Sequence, residues 1–229
     1  MILIDGDIVA YRAGFSSNNL EATAAEAKVD ELIDTIIEDT EFIYTDYQVY
    51  LTGKGNFRFD IGKTLEYKGN RKDAPKPVHL KHIREYLINK YEAIVSKGEE
   101  ADDLIAIAAT QLEMNAVVAS IDKDMLQIPC FHYNLTRREL SAVGEFNGLK
   151  SFYTQILTGD KVDNIKGLHR CGPVKAGKIL TECDTEISMW NACLEAYKGD
   201  TERVIENARL LYLRRKVGQL WEPPIEQSS

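Results

Sequence analysis

A block of four carboxylates constrains this chain more than any other feature. Glu99, Glu100, Asp102 and Asp103 crowd into the stretch Lys97-Gly-Glu-Glu-Ala-Asp-Asp-Leu104. Upstream, Ala93-Ile-Val-Ser96 reads as a short buried strand. Downstream, Leu104, Ile105, Ile107, Ala108 and Leu112 carry a helical period. The acids therefore stand where a strand hands over to a helix, which in parallel α/β sheets is the edge where ligands bind. Helix capping accounts for a single acid there, because a first-turn carboxylate suits the orphan amides and the helix dipole. Four packed acids repel one another, and a metal ion is the alternative that compensates them.

The same pattern recurs along the chain. Met1–Ile4 is an apolar strand ending in Asp5-Gly6-Asp7, either an ordinary turn or a carboxylate aimed into a sheet-edge crevice. Ala22 to Glu38 is an acidic amphipathic helix with Leu32, Ile33, Ile36 and Ile37 on one side. Tyr47–Leu51 is a second strand, followed by the turn Thr52-Gly-Lys-Gly-Asn56. Phe57 to Ile61 reads as a returning hairpin strand, with Arg58 and Asp60 on the face opposite Phe57, Phe59 and Ile61. Ala116–Ile121 is another buried strand and ends in Asp122-Lys-Asp124; Phe131–Leu135 is a further one. Leu149–Thr158 reads as a helix entering Gly159-Asp-Lys-Val-Asp-Asn-Ile165, where Asp160 and Asp163 share one face of a turn. Gly167-Leu-His-Arg-Cys-Gly172 then leads into a Lys-bearing helix, Pro173–Leu180, a form that presents backbone amides to phosphates. Thr201 to Lys216 is helical and basic at its end.

The 229 residues fit one α/β domain or a domain with an appendage, and 44% hydrophobic with 28% charged residues is ordinary for a soluble protein. No apolar run is long enough to span a bilayer and no signal peptide is recognisable, so a cytoplasmic location is expected. Cys130, Cys171, Cys183 and Cys193 lack zinc spacing and read as reduced thiols. The net charge of -8 argues by itself against a nucleic-acid partner. Yet Asp5, Glu100, Asp102, Asp103, Asp122, Asp124, Asp160 and Asp163 account for all of it. These acids, with no His or Cys among them, form a hard oxygen donor set that favours Mg²⁺ or Mn²⁺. From Lys68 to Lys90, seven Lys or Arg stand against two acids, which reads as a solvated helix face or a phosphate-contact surface with a helix at about Val78–Asn89.

Taken in order, five elements resemble the 5′ nuclease family of flap endonucleases and 5′-3′ exonucleases, which includes the nuclease domain of bacterial DNA polymerase I; the phage type is nearest. They are Asp5 after the first strand, Tyr67-Lys-x-x-Arg71, Glu100-Ala-Asp-Asp103, Asp122-Lys-Asp124 and Gly159-Asp-x-x-Asp-Asn-Ile165, followed by the hairpin Gly167…Gly172. The resemblance implies an α/β, PIN-like, mostly parallel twisted sheet with flanking helices, a helical arch and a helix-hairpin-helix that grips duplex DNA. It implies a nuclease core over residues 1–148, including a basic arch region at about 68–90, with the hairpin region and C-terminal helices over 149–229 packed on that core. It implies two Mg²⁺ ions (Mn²⁺ substituting) held by Asp5, Glu100, Asp102, Asp103, Asp122, Asp124, Asp160 and Asp163. It implies that Lys68 and Arg71 act on the scissile phosphate. It also implies that Tyr67, Lys72, Gly167, Arg170, Gly172, Lys175 and Lys178 contact DNA and that the hairpin can bind a K⁺ ion. The implied substrate is DNA with 5′ ends, flaps or nicks, RNA being a second candidate, and the implied state a monomer.

Two departures stand out. The family's carboxylate at the end of the second strand falls here on Thr52 or Gly53, with Asp60 a less favoured replacement. The hairpin's usual Gly-x-x-Gly-x-Gly has become Gly167-x-x-Arg170-x-Gly172. A DNA-structure-binding protein with a weakened metal site is therefore an alternative. A haloacid-dehalogenase-type phosphatase, suggested by Asp5-Gly-Asp7, lacks the Thr expected soon after and leaves the hairpin unexplained.

Overall fold

The computed structural model describes residues 1–40, 46–71 and 74–225. It groups into two compact units, Met1–Asn56 with Ala74–Val143, and Phe57–Asp73 with Gly144–Ser229.

The first unit is built on a six-stranded sheet. Its elements are β1 (Ile2–Asp5), α1 (Gly6–Ser16), α2 (Ala22–Thr40) and β2 (Tyr47–Lys54). After the residues that belong to the second unit come α4 (Leu80–Tyr91), β3 (Ile94–Lys97), α5 (Ala101–Leu112), β4 (Val117–Ala119), β5 (Phe131–Asn134) and β6 (Glu139–Ala142). Their order is β3-β2-β1-β4-β5-β6, parallel except for the antiparallel β6. The chain adds strands to one side of β1 and then, with β4, to the other. The crevice between β1 and β4 is thus the topological switch point at which such sheets bind ligands. β1 and β4 are buried along their length, as central parallel strands covered on both faces must be. Helices α2 and α4 dock through Ala25, Val29, Ile33, Ile36, Ile83 and Leu87, all essentially without exposure.

The second unit holds α3 (Arg58–Ile61), α6 (Glu145–Thr158), the short hairpin β7 (Gly159–Asp160) and β8 (Ile165–Lys166), α7 (Pro173–Ile179), α8 (Glu186–Ala196) and α9 (Thr201–Leu211). Its core is aromatic: Phe152 packs against Tyr153, Tyr212 and Trp221, and Trp190 against Trp221. Asn207, fully buried, donates from Nδ2 to the carbonyl oxygens of Ile156 and Lys166 and to the Tyr197 hydroxyl, tying α9 to α6 and β8.

Several expectations need correction. Ala93–Ser96 is an edge strand rather than a buried one, with Ile94 44% and Val95 37% exposed. Phe57–Ile61 is not a hairpin strand but contains the single turn α3. Arg58 is its buried residue, at 1% exposure, while Phe59 faces water. The guanidinium is admitted because Nε and Nη2 donate to the carbonyl oxygens of Leu210 and Tyr212 at the end of α9, at 2.8 and 2.9 Å. Residues 57–73 pack with the C-terminal unit, and the remaining boundary falls at Val143/Gly144 rather than at 148/149. Strand β6 was not anticipated, because Glu139, Ser141 and Ala142 are exposed and carry no apolar alternation.

Candidate functional site

In the first unit the parallel strands point their C-terminal ends the same way, which brings Asp5, the acids ahead of α5, and Asp122 to one edge of the sheet. Asp5 is the N-cap of α1, accepting from Ile8 N at 3.1 Å. Gly6 follows because a Cβ there would stand 2.6 Å from the Tyr50 carbonyl oxygen. Across the switch point Ser120 Oγ donates to Asp5 Oδ2 at 2.8 Å. Burial pushes the Asp5 carboxyl up to about 7; the hydrogen bonds from Ile8 and Ser120 oppose that shift, and the charges of Asp7 and Asp122 add to it. Asp122 caps its own turn, accepting from Asp124 N at 2.9 Å.

The central acidic block divides its work. Glu100 and Asp103 form a capping box at the start of α5: each side chain accepts from the other residue's backbone N–H, and both are buried. The capping reading of these two acids is thus realised in the structure. Asp102 lies between them in the first turn, half-buried.

The end of β2 explains the missing carboxylate. A Cβ on Gly53 would lie 1.9 Å from the Ser96 carbonyl oxygen, so no side chain fits there. Thr52 Oγ1 accepts from Ala101 N at 3.0 Å. The carboxylate that reaches this strand end comes instead from Asp7, whose Oδ2 accepts from Thr52 N at 2.9 Å. Arg84 of α4 binds Asp7 Oδ1 and also donates to the Thr52 carbonyl oxygen. Asp7 and Arg84 were not among the expected site residues. The doubled acid of Asp5-Gly-Asp7 was the available signal for Asp7; Arg84 was legible only as one charge of the basic stretch over 68–90, not as the partner of Asp7.

The expected basic surface over 68–90 is largely spent on acids. Besides Arg84 with Asp7, His82 meets Glu26, Lys90 meets Asp30 and Lys81 meets Glu85. The acidic α2 thus faces the basic α4. Burial pushes the Asp30 carboxyl upward, but hydrogen bonds from Lys90, Tyr91 and Tyr86 outweigh it and hold the group below the usual carboxylate range.

In the second unit Asp160, at 4% exposure, closes the β7–β8 turn by accepting from Val162 N and Asp163 N. Asp163 accepts from the Tyr67 hydroxyl at 2.8 Å and pairs with Lys68 and Arg71. Lys68 N donates to the Asp163 carbonyl oxygen, Asn70 to Lys161 O and Arg71 Nε to Val162 O. The Tyr67–Arg71 motif is therefore laced onto the Asp160–Asp163 loop, an association the spacing did not reveal. Gly159 and Gly167 allow a backbone crossing: a Cβ on Gly167 would be 2.2 Å from the Thr158 carbonyl carbon. Arg170 adopts φ +52°, the left-handed region a glycine would occupy at no steric cost. Gly172 is the N-cap of α7, and Lys175 and Lys178 are exposed on that helix. Asp60 is exposed in α3. Lys72 lies outside the described residues.

Among the described residues the acids are not gathered into a ready-made group of three or more metal ligands; Asp5, Asp7, Glu100, Asp103, Asp122, Asp160 and Asp163 are held by the partners just named. The chemistry nevertheless fits a hard divalent cation. The donors are carboxylates, Asp5 is buried among negative neighbours, and Asp7 and Asp163 each already hold a side-chain cation.

Comparison with known proteins gives a consistent picture. The family described as 5′-3′ exonuclease, N-terminal resolvase-like domain, matches residues 1–161. DNA polymerase I of Bacillus caldotenax is 28% identical across the whole of this chain, which spans only 29% of that protein. The 5′-3′ exonuclease of Mycoplasma genitalium is 28% identical, the match covering 80% of this chain and 72% of that one. The T5 D15 protein, solved with metal ions, superposes with a TM-score of 0.70 at 18% identity, over 92% of this chain and 88% of that one. The sheet and flanking helices described above are those of this PIN-like fold.

Proposed function

This chain belongs to the 5′-3′ exonuclease family, and on that footing we propose that it hydrolyses DNA phosphodiesters at 5′ ends, nicks and flaps with divalent cations as cofactors. One observation carries the reading: the carboxylates at the switch-point edge of the parallel sheet centre on Asp5, which is 3% exposed and faces the charges of Asp7 and Asp122. So many acids on one edge call for cationic compensation. Membership of the family sets the phosphatase reading aside.

When bound, ions of the Mg²⁺ type would lower the pKa of a water nucleophile and stabilise the attacking and leaving oxygens. Asp5, Asp7, Asp122 and Asp124, with Glu100, Asp102 and Asp103, would be the donors of the first unit, and Asp160 and Asp163 those of the second. Asp7 takes the part of the carboxylate that the end of β2 cannot carry. Lys68 and Arg71, held in place by Asp163, neutralise charge that develops on the scissile phosphate. Arg170, Lys175 and Lys178 contact backbone phosphates, and the hairpin main chain is the proposed K⁺ position. The proposed working state is a monomer in the cytoplasm, with RNA a second candidate substrate.

The test uses a 5′-labelled flap and a nicked duplex with Mg²⁺, Mn²⁺ or EDTA. Wild type should cleave with either metal and not in EDTA. Asp122→Asn with Asp124→Asn should abolish cleavage yet bind the flap in EDTA at least as tightly, because two phosphate-repelling charges are gone. Cleavage by that variant within a few-fold of wild type would remove the metal assignment. Lys68→Ala should lower the single-turnover rate more than it weakens binding. A second reading, binding to DNA structure without cleavage, is favoured by the bare end of β2; flap binding with no product in any divalent metal would establish it.

A further inference from the structure

A single helical turn such as α3 does not hold its shape unaided. Here it is pinned from below by the buried Arg58 guanidinium on the carbonyls of Leu210 and Tyr212. Phe57, at its N-cap, is itself covered by the Arg214 guanidinium at 3.5 Å from the ring centroid. With Arg58 turned inward, Phe59 is turned outward and is 56% exposed. Its ring meets the Tyr67 ring edge-on, centroids 5.8 Å apart. Tyr67 is only 3% exposed and is fixed by its hydrogen bond to Asp163. Lys68 Nζ stands 5.2 Å from the Tyr67 ring centroid, and Lys68 and Arg71 reach the same Asp163 carboxylate. An aromatic ring is thus presented to water on a rigid support beside two cations.

We propose that Phe59 is a stacking platform for an unpaired base of the 5′ strand, next to the phosphate that Lys68 and Arg71 engage. This rests on the nuclease reading given above. The chemistry is that of single-strand binding: a basic track for the backbone and an aromatic face for a base, sequence-tolerant because every base has a π-face. The neighbouring cations complement a phosphate chain. Because the ring is already ordered, stacking costs little side-chain entropy.

The test is fluorescence of 2-aminopurine in a DNA flap, in EDTA so that nothing is cleaved. The probe is placed at the first unpaired base of the 5′ arm or, in a separate substrate, at the terminal base pair of the duplex. Wild type should quench the unpaired probe and leave the paired one unchanged. Phe59→Ala should abolish that quench and weaken flap binding roughly five- to a hundred-fold, with little loss for plain duplex. Phe59→Tyr should restore both, while Phe59→Leu, apolar but without a π-face, should not restore the quench. Since Phe59 is exposed, the melting temperature should hold in all three variants. Phe59→Ala with wild-type quench and affinity would overturn the stacking proposal and leave the nuclease reading standing. Failure of wild type to bind the flap would overturn both.

Discussion

At Gly53 the missing side chain decides what the end of β2 can carry. Gly53→Asp, which would restore the carboxylate usual in the family, forces the backbone away from Ser96 and should lower the melting temperature by on the order of 5 °C. Thr52→Asp avoids that collision, and its carboxylate would join Asp7 at the same strand end. In a Mg²⁺ titration of the melting temperature, Thr52→Asp should respond at lower Mg²⁺ than wild type, whereas Gly53→Asp should show no gain. Arg58 is the opposite case, a long charged side chain expected on the face of a strand opposite Phe57, Phe59 and Ile61 and found buried instead. Arg58→Met leaves the carbonyls of Leu210 and Tyr212 without donors and should cost about 3 kcal/mol in a urea titration. Arg58→Lys should recover little, because an ammonium cannot reproduce the fork. His132 supplies the pH dependence. Burial holds its pKa below the usual value, against the smaller opposing effect of its bond to the Ile128 carbonyl oxygen; that oxygen only accepts, so Nε2 carries the proton of the neutral ring. A lowered folded-state pKa means the unfolded chain binds the proton first. Stability should therefore be complete above about pH 6.5 and fall below it, by at most about 1.4 kcal/mol per pH unit, until the folded-state pKa is reached. In pH-resolved denaturation, His132→Gln should flatten that slope.

Elements differ in how well their burial can be read from the chain. β1 and β4 were legible because a central parallel strand, covered on both faces, is an unbroken apolar run; Asp5 marks the end of β1, whereas β4 stops at Ala119, before the apolar run to Ile121 is finished. β3 has the same apolar look but lies at the edge, and position in a sheet is a matter of topology that a local run does not encode. β6 was invisible because its side chains mostly face water. α3 was misread because Phe-Arg-Phe-Asp-Ile alternates like a strand, while its one turn is stabilised by α9, far away in sequence. The basic stretch was legible as charge but not as a surface, since its partners sit on α2. This yields a contrast testable on DNA. Lys175→Ala and Lys178→Ala on the exposed side of α7 should each reduce the salt slope of duplex binding by about 1. Lys90→Ala on α4 should leave the slope unchanged, because its charge is engaged by Asp30.

At the scale of the whole molecule, each compact unit is assembled from separated stretches of chain, with residues 57–73 lying between the halves of the first unit while belonging to the second. The hydrogen bonds of Arg58 to Leu210 and Tyr212 span 152 and 154 positions, and the pair of Arg71 with Asp163 spans 92. Such long separations slow folding, because the loop must close before the contact rewards it. They also set a schedule during synthesis. A ribosome adding about 5–20 residues per second needs roughly 5–18 s to pass from Arg71 to Asp163, 92 positions on. Through that interval the segment bearing Tyr67, Lys68 and Arg71 has left the ribosome without the partners that hold it. A nascent chain arrested after Val143 should be cut by protease between Phe57 and Arg71, and one extended beyond Trp221 should resist at the same bonds. The stretch read here as working on the scissile phosphate is thus the last part of the early chain to become ordered, and the protein acquires its shape well before it acquires its chemistry.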